Sequence, residues 1–158
     1  MKAGILMLIQ KAERHDLQEI LDLQYLAYQS EAKLLNNPHI PPLKQTLEEV
    51  EKEYLDGLFL KAVDTDNRIS GSVRAYSKEG TLFIGKLIVR PDLQGQGIGT
   101  QLLHAMEAAC PHKRYELFTS SKSVRNIKLY ERLGYKIFNE KPVSEDLKFI
   151  YMEKILSS

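Results

Sequence analysis

The sequence predicts a single mixed α/β (α+β) domain over residues 1–158, a mostly antiparallel sheet of about seven strands with helices on both faces, in the order βααβββαβαββ. Three observations lead there. Short apolar runs alternate with segments of helical periodicity. One run, Leu82 to Val89, is almost wholly apolar, as a strand covered on both faces must be. No linker, internal repeat or low-complexity stretch divides the 158 residues, a length at which one domain buries roughly 68–70% of its unfolded surface.

The elements follow in order. Ile5 to Ile9 is expected to form a buried first strand. Asp16-Leu17-Gln18-Glu19 has capping-box spacing, and Leu17, Ile20, Leu21, Gln24 and Tyr28 then recur at helical intervals, giving a first helix. Asn36 to Pro42 cannot continue it, because Pro38, Pro41 and Pro42 fix φ and remove donors, so a stiff loop is expected. Thr46-Leu47-Glu48-Glu49 is a second capping box, opening a short helix that turns Val50 and Tyr54 inward and stops by Gly57. Leu58 to Val63 and Ile69 to Tyr76 flank the turn formers Asp64 to Arg68 and read as a hairpin. Gly80 turns the chain into Leu82 to Val89. Ile98, Leu102, Ala105, Met106 and Ala109 space out a helix that Pro111 ends. A strand at Tyr115 to Thr119 precedes a helix carrying Val124, Ile127, Tyr130 and Leu133, with Gly134 just past its end. Tyr135 to Phe138 and Phe149 to Met152 close the sheet.

Composition narrows the function classes. A hydrophobic fraction of 43% with 27% charged residues argues against disorder. The 22 Lys plus Arg against 21 Asp plus Glu leave a formal charge of +1, too little to draw the chain to polyanions, so no nucleic-acid partner is expected. Cys110, the one cysteine, forbids an intramolecular disulfide and suits a reducing cytoplasm. Met1 to Ile9 imitates a signal peptide, but Gln10-Lys11 ends the short apolar run and no cleavage site of small residues follows. No run approaches the ~20 residues of a membrane span. A soluble cytoplasmic protein is expected. His15, His39, His104 and His112 lie in no HExxH or CxxC context, so no metal is expected.

The densest signal is Val89 to Thr100, a strand turned through the glycine-rich Gln94-Gly95-Gln96-Gly97-Ile98-Gly99-Thr100 into a helix. Helix N-terminal amides lack intrahelical partners and carry the positive end of the macrodipole, while glycines let a phosphate approach closely. A tight turn that binds nothing would use the same glycines. Two other phosphate motifs fail. Gly80 to Leu87 nearly matches a Walker A loop, but Leu87 replaces the magnesium-binding hydroxyl and the interior reads as strand. Gly95, Gly97 and Gly99 give G-x-G-x-G, not the G-x-G-x-x-G of dinucleotide sites.

Gln94-x-x-Gly97-x-Gly99 matches the pattern of Gln or Arg, two residues, Gly, one residue, then Gly or Ala. At these residues the sequence resembles the GNAT superfamily of N-acetyltransferases. A second block, Asn126 to Tyr135, looks like that family's N-x-x-A-x-x-x-Y-x-x-x-G-F in compressed form, with Leu129 near the usual Ala and Tyr135 standing for Phe. The motifs span Leu82 to Tyr135, about a third of the chain. The resemblance implies acetyl-coenzyme A in a cleft where Leu82 to Val89 and Tyr115 to Thr119 splay apart. Backbone groups of Leu87, Ile88 and Val89 would pair with the pantetheine amides as an added strand does, and amides from Gln94 to Thr100 would hold the pyrophosphate.

Acetyl transfer to an amine needs an unprotonated amine, donors for the developing oxyanion and an acid for the thiolate. The cofactor supplies the activated acyl group, so Cys110 is read as a small core residue. The oxyanion donor is assigned by resemblance to the amide near Val89. Tyr130 is the candidate acid, one turn after Asn126, whose amide would orient the pantetheine; it could instead pack beside Ile127 and Leu133. Arg125, Lys128 and Arg132 are candidates for the phosphates, Lys128 foremost, or form a solvated face; Lys122 and Ser123 are weaker ones. Leu82 to Val89 holds no carboxylate, so the base is either Glu116 on the next strand or a water relay. Tyr28, Glu31 and His39 fall where this family meets its acceptor, with Tyr28 and Glu31 the candidate substrate contacts. The acceptor is a small-molecule amine or a protein amine, and a homodimer is left open. An acyl-coenzyme A binding module without catalysis is the alternative, against which Tyr130 with Asn126 weighs.

Overall fold

The computed structural model describes residues 7–156. A seven-stranded sheet runs in the order β1-β2-β3-β4-β5-β7-β6. The strands are β1 (Leu8–Lys11), β2 (Leu58–Val63), β3 (Ile69–Lys78), β4 (Thr81–Val89), β5 (Arg114–Ser120), β6 (Lys136–Ser144) and β7 (Leu147–Ile155). Every neighbouring pair is antiparallel except β4 and β5. One face carries α1 (Leu17–Leu34), the single turn α2 (Pro41–Lys44) and α3 (Leu47–Asp56); the other carries α4 (Ile98–Ala109) and α5 (Val124–Arg132). No helix among the described residues is long and apolar enough to cross a membrane.

Alternation along the strands divides the core in two. Leu60, Val73, Leu82 and Leu117 turn toward α4 and α5, where Leu102, Leu103 and Met106 are fully buried. Phe59, Ile69 and Ile88 turn the other way, against Leu17, Ile20 and Val50 of α1 and α3. The mixed, mostly antiparallel sheet with helices on both faces is as the sequence predicts.

Four expectations change. Ile5 and Leu6 lie outside the described residues, and β1 is an edge strand with Leu8 61% exposed, since only β2 pairs with it. Asp16 does not cap α1: its Oδ2 accepts the Glu13 amide at 2.7 Å and the Lys61 ammonium at 2.7 Å. Glu19 crosses to accept the Ile69 amide at 2.8 Å. The stiff loop contains a helical turn, because Pro41 and Pro42 occupy first-turn positions where no amide is needed. Finally, α1 and α3 stop short of β5, β7 and β6, leaving Phe118 and Phe138 exposed on that face. The second capping box forms as expected, Glu49 donating its amide to Thr46 Oγ1 at 3.2 Å and returning a carboxylate to the Thr46 amide at 3.0 Å.

Candidate functional site

The one parallel junction creates an opening within the sheet. β4 and β5 pair only at Thr81 with Arg114, Leu82 with Tyr115 and Phe83 with Glu116. Beyond Phe83 they part, while β4 keeps its partner β3 as far as Val89 and β5 keeps β7 as far as Ser120. The Arg90 amide donates to Ser70 O at 2.8 Å. By strand alternation the Val89 and Leu87 backbones therefore point away from β3, into the opening. Ile88 turns its backbone to β3, and its side chain is 3% exposed among the residues of α1.

Above this opening lies a cleft of about 520 Å³. Leu87 and Val89 form its floor, and the Gln94 to Thr100 loop forms one wall. Gly95 and Gly97 hold φ of +79° and +85°, a region where a Cβ costs about 1–2 kcal/mol. Gly97 is the N-cap of α4, so the next amides, from Ile98, Gly99 and Thr100, have no helical acceptor. A Cβ built on Gly97 meets nothing within 4 Å. Ile98 contributes backbone only, its side chain being 1% exposed in the core, and Gln96 stands half-buried beside the cleft. The facing wall is α5, which presents Arg125, Asn126, Lys128, Leu129 and Arg132. Arg125 donates to Gln94 Oε1 at 2.8 Å, tying the loop to the helix. The result is an unpaired strand edge running toward free amides and three cations, suited to an extended chain that ends in phosphates.

Tyr130 projects from the same helix toward the sheet, 6% exposed, with its ring 6.1 Å from that of Tyr135. Its hydroxyl makes no hydrogen bond among the described residues. Burial first, then the negative charge of Glu31, pushes its pKa well above the usual tyrosine range. Tyr28 is shifted the same way by burial, by Glu31 and by Tyr130, with Arg74 opposing. Glu31 is itself raised by burial, against the pull of the Ser123 hydroxyl, which donates to it at 3.5 Å. The structure thus brings Tyr28, Glu31 and Tyr130 together. Asn126 donates to Thr119 Oγ1 at 3.4 Å.

Glu116 is not brought to them. It lies on the α1 face of β5 but at the joined end of the junction, paired with Phe83 and with its carboxylate held by Arg114 at 2.9 Å, whereas Glu31 is reached by Ser123, beyond the strand's other end. His39 is exposed on the loop after α1, and Lys122 pairs with Asp146 at 3.0 Å. Burial raises the Cys110 thiol, the reverse of what a nucleophile needs. Glu13, His15 and Asp16 bring potential ligand atoms within 4.8 Å of one another, but Asp16 is committed to Lys61.

Sequence reasoning missed the network beside Tyr28. Arg74 of β3 is 5% exposed, donates to Glu53 at 2.9 Å and Gln24 at 2.8 Å, and lies 4.5 Å over the Phe59 ring. Gln45 joins it, donating to Glu53 at 2.6 Å and accepting from Gln24 at 2.9 Å. Next to Arg74, β4 bulges: Arg74 pairs with Gly85 and Ser72 with Ile88, so an extra residue is accommodated, and Lys86 takes a φ of +48°. A lone arginine inside an apolar strand and a glutamine on the inward stripe of a helix were the available signals.

Residues 8–135 match the model of the acetyltransferase (GNAT) family. No curated protein matches the chain. Among solved structures, the PaiA N-acetyltransferase of Thermoplasma acidophilum in complex with coenzyme A superposes with a TM-score of 0.80 at 17% identity, covering 96% of this chain and 100% of that one. A GNAT-family acetyltransferase from Staphylococcus aureus Mu50 gives 0.77 at 19%, covering 96% and 100%. The Salmonella typhimurium protein yncA, whose structure holds acetyl-CoA as its cofactor, gives 0.73 at 19%, covering 98% and 96%.

Proposed function

The chain belongs to the GNAT acetyltransferase family, and on that premise we propose that it moves the acetyl group of acetyl-coenzyme A to the primary amine of an acceptor by direct attack in a ternary complex. The observation that carries this is the opening between β4 and β5, continuous with the free amides of α4 and faced by α5, the helix that carries Tyr130. The residues present fit the cofactor: the space over Gly97 is open to a phosphate, and Arg125, Lys128 and Arg132 face it. Backbone groups of Leu87 and Val89 would hold the pantetheine, which Asn126 would help to orient.

When bound, the cofactor supplies a thioester, an acyl group already activated. The chain's own groups do the rest. Glu31 receives the incoming ammonium and takes its proton, since burial raises this carboxylate toward the range of a working base. The Val89 amide donates to the carbonyl oxygen as negative charge develops there. The amine nitrogen would form its bond to the acetyl carbon as the carbon–sulfur bond breaks, with Tyr130 giving its hydroxyl proton to the departing sulfur and recovering the proton that the acylated nitrogen sheds. Glu116, paired with Arg114 at the joined end of β4 and β5, has no part in this scheme.

Calorimetry with acetyl-coenzyme A, followed by thiol release against a broad amine panel, tests the proposal. Binding should raise Tm by about 5–10 °C at a ligand concentration 100-fold above Kd, with no shift from ATP or NAD. Binding without thiol release for any amine would favour an acyl-coenzyme A binding module; no binding at millimolar ligand would overturn both.

A further inference from the structure

On the α1 side of the splayed strands, charged groups of opposite sign gather at two places. At one are Tyr130 and Glu31, and Tyr28, within electrostatic reach of both Glu31 and Arg74, joins that place to the other. At the second stand two cations, Arg74 and Lys86, with one hydrogen-bonded carboxylate, Glu53, between them. Arg74 is fixed by Glu53, Gln24 and the Phe59 ring, and its buried Nε still lacks an acceptor among the described residues. Lys86 is half-buried, and its ammonium makes no hydrogen bond or ion pair among them. It also sits at the bulge in left-handed backbone, which costs a β-carbon-bearing residue about 1–2 kcal/mol and is the kind of local strain found where a strand re-aims a side chain at a ligand. A half-buried ammonium without an acceptor is electrostatically incomplete.

We propose that this pair of charge clusters takes an acceptor carrying an anionic group, such as a carboxylate or phosphonate, beside its primary amine, with the Lys86 ammonium meeting the anion and Glu31 the amine. This rests on the acetyltransferase function above and names its substrate class. A purely cationic amine would leave Lys86 unpaired and add a like charge near Arg74. A dipolar acceptor aligns with both clusters at once, and its anion draws the amine to the Tyr130 cluster. Burial lowers the pKa of Lys86, an effect that Glu53 opposes and Arg74 reinforces; an anion seated beside it would reverse that shift.

The test is thiol release from acetyl-coenzyme A with α-, β-, γ- and ω-amino acids and aminoalkyl phosphonates, each against its uncharged amide or ester, with rates compared per unprotonated amine. Wild type should prefer the anionic member of at least one pair by about 10- to 100-fold in kcat/KM, the range of a charge-assisted hydrogen bond. Lys86→Met should collapse that preference, Lys86→Arg should keep most of it, and both variants should bind acetyl-coenzyme A as wild type does in calorimetry, which also shows that they fold. Equal or reversed preference in wild type, a preference that survives Lys86→Met, or no turnover of any pair by a protein that binds acetyl-coenzyme A would overturn the acceptor class. Failure to bind acetyl-coenzyme A at all would instead strike the acetyltransferase function beneath it.

Discussion

Tyr130→Phe separates the two roles a buried phenol can have. The ring is 6% exposed and packs on Tyr135 at 6.1 Å, contacts that phenylalanine keeps. The hydroxyl has no hydrogen-bond partner among the described residues, so its removal orphans nothing, and stability should stay within about 0.5 kcal/mol of wild type. The catalytic cost is of another size. Loss of a positioned general acid typically slows reaction by about 10² to 10⁴, equivalent to about 2.7–5.4 kcal/mol of transition-state stabilisation. In the proposed mechanism the proton moves only as sulfur departs, so the loss should fall on kcat with KM for acetyl-coenzyme A nearly unchanged. Burial and the charge of Glu31 hold the phenol above the ordinary tyrosine range, so wild type should show no basic limb from Tyr130 between about pH 7 and 10. The variant must draw protons from solvent, and the ratio of the two rates should widen as pH rises. Steady-state thiol release across that range, with urea melts of both proteins, makes the measurement. Unchanged kcat, or a loss confined to KM, would refute the assignment and leave Tyr130 a packing residue.

Gly97→Val should abolish the Tm shift from acetyl-coenzyme A while the protein stays folded: its Cβ meets no protein atom within 4 Å, but a branched side chain at φ +85° is strained and projects where a phosphate must approach. Retained affinity in calorimetry would remove the loop from the cofactor site. Glu31→Gln should raise stability at neutral pH. Burial holds the folded pKa of Glu31 above its ordinary value of 4.5, so the ionised carboxylate costs the native state free energy at pH values above the folded pKa, and this cost fades as pH falls through it toward 4.5. Urea melts at a series of pH values should show the variant's advantage vanishing at the acid end; an advantage that grew on acidification would mean the carboxylate is stabilised by its surroundings.

Much of the fold was legible because local signals agreed. The Thr46 box, the loop at Asp64 to Arg68 and the run Leu82 to Val89 each specify their element without help from distant residues. Where two local signals competed, sequence reasoning lost: Asp16 has the spacing of a cap, yet Lys61, 45 positions away, claims its carboxylate. The glycine loop and Tyr130 were visible as spacing, and Tyr28 and Glu31 as positions on the first helix. Glu116 was chosen for its strand, but it sits at the last rung before β4 and β5 part, and where two strands stop pairing depends on both, which one segment does not reveal. The bulge at Lys86 was invisible for the same reason: it exists only as a mismatch between β3 and β4.

That parallel junction also has a mechanical side. Strands β1 to β4 form one plate and β5, β7 and β6 another, and only three rungs at one corner join their ladders directly. The rest of the seam is bridged by side chains beneath α4 and α5, where Leu82 and Leu102 meet Tyr115 and Leu117. The ladder is therefore closed at the Thr81 end of the seam and open at the Val89 end. A ligand laid along the free edge of β4 would supply backbone partners where the sheet's own ladder is interrupted, and so tie the two plates together.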